Sequence, residues 1–242
     1  MNASQSDQQK ILEIAGLDQR ATALNHKAAT LAEHALLISV GTKSQNARDL
    51  RIAAQTEHSD VKRELLRAEA DVEQVVMRIT RDEARLNGGS ASPKELEQLQ
   101  HEVGTLNLRR ADLEEVELEV MMRIDDINVR ITELSVQEAA FAAEISDLQV
   151  RKENALAAFN SELETIAKAR RETLSVVAPE LIALYEKIRT FNNGTGAALL
   201  LAGTCNGCHL SINSVELQRI STLAPDEVIR CEECRCILVR GV

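Results

Sequence analysis

The sequence predicts a mainly α protein, in which a long antiparallel coiled-coil helical hairpin precedes a small C-terminal β domain. Three observations predict this fold. Aliphatic residues recur at heptad spacing over most of the chain. One Gly/Ser/Pro cluster, residues 87–93, interrupts that pattern near its middle. Two C-x-x-C pairs, Cys205/Cys208 and Cys231/Cys234, lie near the C-terminus with 22 residues between them.

The composition agrees with long helices. Of 242 residues, 44% are hydrophobic and 27% charged, but only 2% are aromatic. A compact core of this size would use more large rings, whereas aliphatic and charged residues together are typical of coiled coils. The net charge of −10 repels nucleic acid and anionic membranes, so contact with either would need a local basic patch.

The chain shows no signal for export or membrane insertion. Its first seven residues, Met1–Asp7, contain neither a basic nor an apolar segment. No uncharged apolar run approaches the length of a spanning helix. Four of the five cysteines lie in the two C-x-x-C pairs, which suits metal binding in a reducing compartment. We therefore expect a cytoplasmic protein that makes no membrane contact.

The first helical arm carries a heptad seam with one weak point. Gly41 and its β-branched neighbours favour helix poorly, so we expect a bend, stutter or short break at residues 39–44. The predicted seam residues are Leu17, Ala21, Leu24, Ala28 and Leu31, and then Ala47, Leu50, Ala54, Val61, Leu65, Ala68, Val72, Val75, Ile79 and Leu86.

The 87–93 cluster predicts the turn of the hairpin. Gly88 can close the first arm in a left-handed conformation. Ser92 and Glu95 form a capping box around Pro93 at the first helical position. The second arm then continues the seam from Leu96 to Phe159. A parallel dimer of continuous helices is the alternative, but the breaker cluster favours folding back. We divide the chain into a hairpin, 1–178, and a C-terminal part, 179–242.

The C-terminal part predicts a connector helix and a β zinc ribbon. Pro179 opens the helix, which ends at 192–194, and strands are predicted at 197–202, 228–230 and 237–239. Four thiolates from two C-x-x-C turns complete a tetrahedral zinc shell. A closed shell leaves no position for water. We therefore predict one structural Zn²⁺, bound by Cys205, Cys208, Cys231 and Cys234.

Two neighbouring residues leave alternatives open. Cys236 follows Cys234 by two positions and could compete for the metal, but we predict a free thiol because four ligands already complete the shell. His209 could replace a ligand, although a surface role is the simpler interpretation. No phosphate-binding loop, zinc-protease motif or nucleophile elbow is present in the sequence, so we expect no enzymatic activity.

These features together resemble a bacterial family of coiled-coil proteins with a C-terminal four-cysteine zinc ribbon, often labelled predicted nucleic-acid-binding. The resemblance rests on the turn running into residues 92–103, the connector from Pro179 to Tyr185, and both cysteine pairs. It implies a helical hairpin with a ribbon at its base. It also implies protein partners, since similar members have been linked to flagellar or type III secretion components and an alternative sigma factor. The family's second cysteine turn usually reads C-x-x-C-G, whereas Arg235 takes the glycine's place here.

The sequence favours an adaptor or scaffold that binds a protein partner, and it leaves a homodimer open. The alternative is a nucleic-acid binder that acts through the ribbon and the basic connector. From Gly194 onward the chain has more acidic than basic residues and no aromatic residue to stack on a base. The best candidates for phosphate contacts are Lys168, Arg170, Arg171, Lys187 and Arg189. Charge-rich runs such as 81–85 are expected on the solvated face.

Overall fold

A computed structural model describes residues 1–89 and 92–241. It confirms the predicted fold class, with a long helical hairpin and a small C-terminal strand region. The helices are α1 (Gln5–Ala29), α2 (Ala32–Asn87), α3 (Pro93–Leu174), α4 (Pro179–Phe191) and α5 (Ser214–Thr222). The strands are β1 (Ala197–Leu201), β2 (Thr204–Cys205), β3 (Ile229–Arg230) and β4 (Ile237–Arg240).

The described chain divides into two compact units. One, the hairpin unit, comprises residues 36–148; the other, the ribbon unit, comprises residues 1–35 and 149–242. The predicted division at residue 178 separates sequence segments and stays a prediction. The two units defined by contacts have other boundaries, because the first 35 residues contact the C-terminal part of the chain and belong to the same unit.

In the hairpin unit, α2 and α3 run antiparallel and pack along an aliphatic seam. Its best-buried cluster is Val61, Val120 and Ile127, with Leu65 and Ile124 packed against it. Ion pairs flank the seam, and the three nearer the turn are exposed and contribute little individually. They follow the antiparallel register, with partners closer in sequence towards the turn: Arg51–Glu138, Arg130–Glu57, Arg123–Glu64 and Arg78–Glu102.

The turn forms largely as predicted. The Ser92 backbone N–H and hydroxyl each donate to Glu95 Oε2 at 2.8 Å, and the Glu95 N–H donates to Ser92 Oγ at 3.4 Å. The hydrogen bonds from Ser92 lower the pKa of Glu95. The left-handed residue is Gly89 (φ 66°) and not Gly88, which corrects the prediction. The middle of the predicted turn, residues 90–91, lies outside the described residues.

Of the bend, stutter or short break predicted at residues 39–44, the break does not form there. Helix α2 continues through residues 39–44, and the interruption lies at Thr30 and Leu31. Gly41 stays helical beside the buried Val40, so packing outweighs its low propensity. At the real break, the Thr30 hydroxyl donates to the His26 carbonyl at 2.8 Å, and the His34 ring hydrogen-bonds the Ala28 carbonyl at 3.2 Å. Side chains therefore bond backbone groups where the helix is interrupted.

Two seam positions also differ from the prediction. Leu50 is 60% exposed, and Arg51 takes the seam position instead, with its Nε 2.7 Å from Glu138 Oε2. Both choices satisfy heptad spacing, so the partner across the seam decides between them. Asp82, predicted on the solvated face within 81–85, is 5% exposed and lies on the seam.

The ribbon unit has one continuous hydrophobic core. Ile11 and Ile14 of α1, Leu181 of α4, and Ile237 and Leu238 of β4 are almost completely buried within it. The connector helix α4 therefore lies in the same core as the strands. The sheet has the order β2-β1-β4-β3, in which β1 pairs parallel with β4 and the outer pairs are antiparallel.

Two features of this unit were not predicted. Helix α5 lies between the two cysteine pairs, and the Arg240 guanidinium donates to the carbonyls of Leu223 (3.1 Å) and Ala224 (2.6 Å) just beyond its end. The first residues also pair with the ribbon. The Ala3 N–H donates to the Asp226 carbonyl at 2.7 Å, and the Val228 N–H donates to the Met1 carbonyl at 3.1 Å.

Candidate metal centre and connector surface

The two cysteine pairs lie in turns of matched backbone geometry. In the first, the His209 N–H donates to the Cys205 carbonyl at 2.7 Å. In the second, the Arg235 N–H donates to the Cys231 carbonyl at 3.0 Å. The residue after each pair is left-handed, with φ of 61° for His209 and 63° for Arg235. Arg235 thus adopts the conformation that glycine would take, and the turn keeps its shape.

Restoring glycine in the second turn should stabilise the ribbon. A side chain in the left-handed region costs roughly 1–2 kcal/mol, and the greater freedom of glycine in the unfolded chain offsets about half of the relief. We expect Arg235→Gly to raise ribbon stability by about 1 kcal/mol, measured as resistance to denaturant-induced zinc release. His209→Gly is the matched variant in the first turn and should act alike. A loss of stability in both variants would contradict this account.

The geometry brings the four predicted ligands together. The Sγ atoms of Cys205, Cys208, Cys231 and Cys234 all lie within 4.8 Å of one another. Cys205–Cys234 and Cys208–Cys231 are each separated by 3.9 Å. Zinc–thiolate bonds of about 2.3 Å in a tetrahedron place sulfurs about 3.8 Å apart. The donor set and its spacing therefore fit one zinc ion, which would crosslink the two turns and supply no catalytic position.

Cys236 lies beside this cluster. Its thiol is completely buried, with Sγ 3.6 Å from Cys205 Sγ and 3.2 Å from Cys234 Sγ. The distance between Cys234 Sγ and Cys236 Sγ is shorter than the separation of about 3.8 Å between two thiolates bound to one tetrahedral zinc ion, so the two sulfurs are not spaced as a ligand pair. The Cys231 N–H donates to the Cys236 carbonyl just as the Cys205 N–H donates to that of Leu210, both at 3.0 Å. Cys236 therefore occupies the position that Leu210 holds in the first turn, which supports the predicted free thiol.

Burial disfavours the ionised form of two thiols, Cys234 and Cys236. It raises the pKa of Cys234 to about 12 and the pKa of Cys236 well above its usual range. A divalent cation acts in the opposite direction on its ligands because its charge favours thiolates.

A buried polar network joins three helices of the ribbon unit around Asp18. The Arg170 Nε donates to Asp18 Oδ1 at 2.7 Å, and the Tyr185 hydroxyl donates to Asp18 Oδ2 at 2.8 Å. Glu186 also accepts from Arg170, and from Arg189 at 2.9 Å. Burial and the bond to Asp18 raise the pKa of Tyr185 well above its usual range. Burial alone would lower the pKa of Arg170, but the hydrogen bonds to Asp18 and Glu186 raise it instead.

This network involves two of the five predicted phosphate contacts, Arg170 and Arg189, in ion pairs with Asp18 and Glu186. The other three, Lys168, Arg171 and Lys187, are exposed. A role for the five in binding nucleic acid stays a prediction.

A cleft of about 770 Å³ lies between α4 and the second cysteine turn. Its apolar residues are Leu184, Ile188 and Phe191, and Phe191 is 82% exposed. We call it the connector cleft, and its polar lining consists of Lys187, Thr190, Arg230, Glu233 and Arg235. Phe191 and Arg230 carry no signal of such a site in the sequence, because only folding brings α4 and the second turn together.

Comparison with known proteins assigns both parts of this architecture to described domain families. A family model described as the CT398-like coiled coil hairpin domain matches residues 14–193, and one described as the C4-type zinc ribbon domain matches residues 204–238. The chain belongs to the CT398-like coiled-coil hairpin family. Its C-terminal match covers both cysteine pairs, which confirms the prediction of a C4-type ribbon with one structural zinc. The individual ligand assignments stay predictions that the clustered thiols support.

Relatives in this family come from several bacteria. An uncharacterized protein of Mycobacterium tuberculosis is 33% identical over 99% of this chain and 98% of its own length. A solved structure from Mycobacterium smegmatis matches with a TM-score of 0.84 at 28% identity, covering 100% of both chains. CT398 from Chlamydia trachomatis matches with a TM-score of 0.67 at 18% identity, covering 98% of both chains. At 18% identity, this match shows only that the two proteins share a fold.

Among the described residues, none of the helices combines the length and apolar character needed to cross a membrane. The combination of a coiled coil and a zinc ribbon is typical of a structural, adaptor-like protein.

Proposed function

We propose that this protein is a non-enzymatic adaptor whose ribbon unit binds a protein partner through the connector cleft. The observation that carries the proposal is Phe191. An 82% exposed phenylalanine at the edge of a cleft with an apolar floor is the type of side chain that becomes buried in an interface. Lys187, Arg230 and Arg235 add donors around it, and arginine is enriched in interfaces.

The charges favour protein over nucleic acid as the partner. Arg170 and Arg189 already bond carboxylates, and Glu233 places a negative charge in the cleft itself. A zinc ion with four thiolates adds a formal charge of about −2 nearby. Nucleic acid stays the alternative because Phe191 offers one stacking face beside three basic residues.

The test is capture of partners with the zinc-loaded full chain from a lysate of the native cell, with and without nuclease. Any captured protein is then purified and titrated directly. Phe191→Ala should weaken that binding by about 2 kcal/mol, roughly 30-fold, as expected of an interface anchor. Because Phe191 is exposed, this substitution should leave stability unchanged.

Val215→Ala is the matched control, since Val215 is 78% exposed in the same unit but does not line the cleft. It should bind like the unmodified chain. Equal binding by the Phe191 and Val215 variants would reject the cleft. Binding that nuclease abolishes and that falls steeply with salt would favour the nucleic-acid alternative.

A further inference from the structure

A second surface lies on the exposed face of α3 in the hairpin unit. Leu108, Met122, Val129 and Val136 are 72%, 68%, 58% and 64% exposed, and whole heptads separate them. The buried seam residues Val120 and Ile127 of the same helix precede Met122 and Val129 by two positions. At 3.6 residues per turn, two positions correspond to about 200°, so the four exposed residues form a line on the face opposite the seam. We call this line the outer stripe.

An apolar outer stripe is unusual in a two-helix coiled coil. The position opposite the seam is the most solvated one, and it normally carries charged or polar residues. Isolated exposed apolar residues need no explanation, but Met122, Val129 and Val136 occupy three successive heptads at constant helical phase, and Leu108 continues the line beyond Glu115. A heptad repeat of this kind fits the apolar face of another helix.

Carboxylates run along one side of the outer stripe. Asp112, Glu119, Asp126 and Glu133 also recur every seven residues, three positions before or four after a stripe residue. Residues at these separations are neighbours on a helix surface. All four are exposed, and none of them forms an ion pair within the described part of the chain. We call them the acidic row.

The acidic row decides which helix fits. A second copy of this chain packed antiparallel through the same face would bring its own acidic row, and this two-fold arrangement would place like charges side by side. A helix with basic residues flanking its apolar face would instead meet opposite charge along the whole row. We propose that the outer stripe and the acidic row bind a basic amphipathic helix of a protein partner. This surface is separate from the connector cleft, so the proposal does not depend on that one.

The test uses a synthetic helix of about 28 residues, four heptads, with leucine in its apolar positions and lysine beside them. A matched peptide carries glutamate in place of each lysine. Binding to the zinc-loaded full chain is followed by fluorescence anisotropy. The lysine peptide should bind at least about tenfold more tightly than the glutamate peptide. Val129→Glu should lower its affinity by about tenfold or more, whereas Leu66→Glu, at a 58% exposed position on α2, should leave it unchanged.

Charge reversal tests the acidic row directly. The combined variant Glu119→Lys, Asp126→Lys and Glu133→Lys should prefer the glutamate peptide. All the substituted positions are exposed, and thermal unfolding followed by circular dichroism should confirm that the fold is kept. The Phe191→Ala variant should bind the lysine peptide as tightly as the unmodified chain does. The peptide therefore tests the outer stripe alone, and its result does not depend on whether the connector cleft binds a partner. Equal binding of both peptides by the unmodified chain, or a dimer that Val129→Glu dissociates, would overturn the proposal.

Discussion

Replacing Cys205 and Cys231 together with serine is expected to abolish zinc binding and unfold the ribbon, while most of the helical signal remains. The change removes one predicted ligand from each turn, and two thiolates do not hold structural zinc against competing chelators. The strands are short, at most five residues, so they depend on the crosslink. The seam around Val61 and Val120 is a separate core and should persist.

Zinc content per chain is measured by elemental analysis, helicity by circular dichroism at 222 nm, and ribbon integrity by limited proteolysis between α4 and the C-terminus. Cys236→Ala is the matched control and should retain about one zinc per chain, because Cys236 corresponds to Leu210 of the first turn. Full zinc content in the double variant would show that the ligand assignment is wrong. Loss of zinc from the Cys236 variant would instead add Cys236 to the shell.

Replacing Asp18 with alanine is expected to lower the free energy of unfolding of the ribbon unit by about 3–5 kcal/mol. The Asp18 side chain is 7% exposed and accepts from both Arg170 and Tyr185. Its removal leaves the Tyr185 hydroxyl without its acceptor and leaves Arg170 with Glu186 as its remaining carboxylate partner, in a region that solvent cannot fully reach. Tyr185 is the single tyrosine and the chain has no tryptophan, so tyrosine fluorescence during urea denaturation reports on this network.

Two further variants separate the network from ordinary surface charge. Asp18→Asn keeps the side-chain shape but loses the charge, so it should fall between the unmodified chain and the alanine variant. Glu162→Ala removes the exposed partner of Arg20, 48% exposed, and should cost less than about 1 kcal/mol. If the alanine variants at Asp18 and Glu162 had equal effects, the network would not be an important support of this unit.

Local signals in the sequence were sufficient for much of the fold. The Ser92–Glu95 capping box and the helix starting at Pro179 depend on neighbouring residues, and each forms where predicted. The strand predicted at 197–202 is also local and forms as Ala197–Leu201. The cysteine pairs are equally local, because a C-x-x-C turn places two thiols on one side of the chain whatever surrounds it.

The sequence by itself thus determined the hairpin, the connector and the metal-binding turns, because spacing, capping and turn chemistry act over a few residues. Only the tertiary structure decided that Arg51 rather than Leu50 faces the seam, that Asp18 joins α1, α3 and α4, and that Phe191 borders the second cysteine turn. Each of these depends on residues far apart in the chain. Spacing rules allow several partners for such residues, and only packing against the other elements selects one.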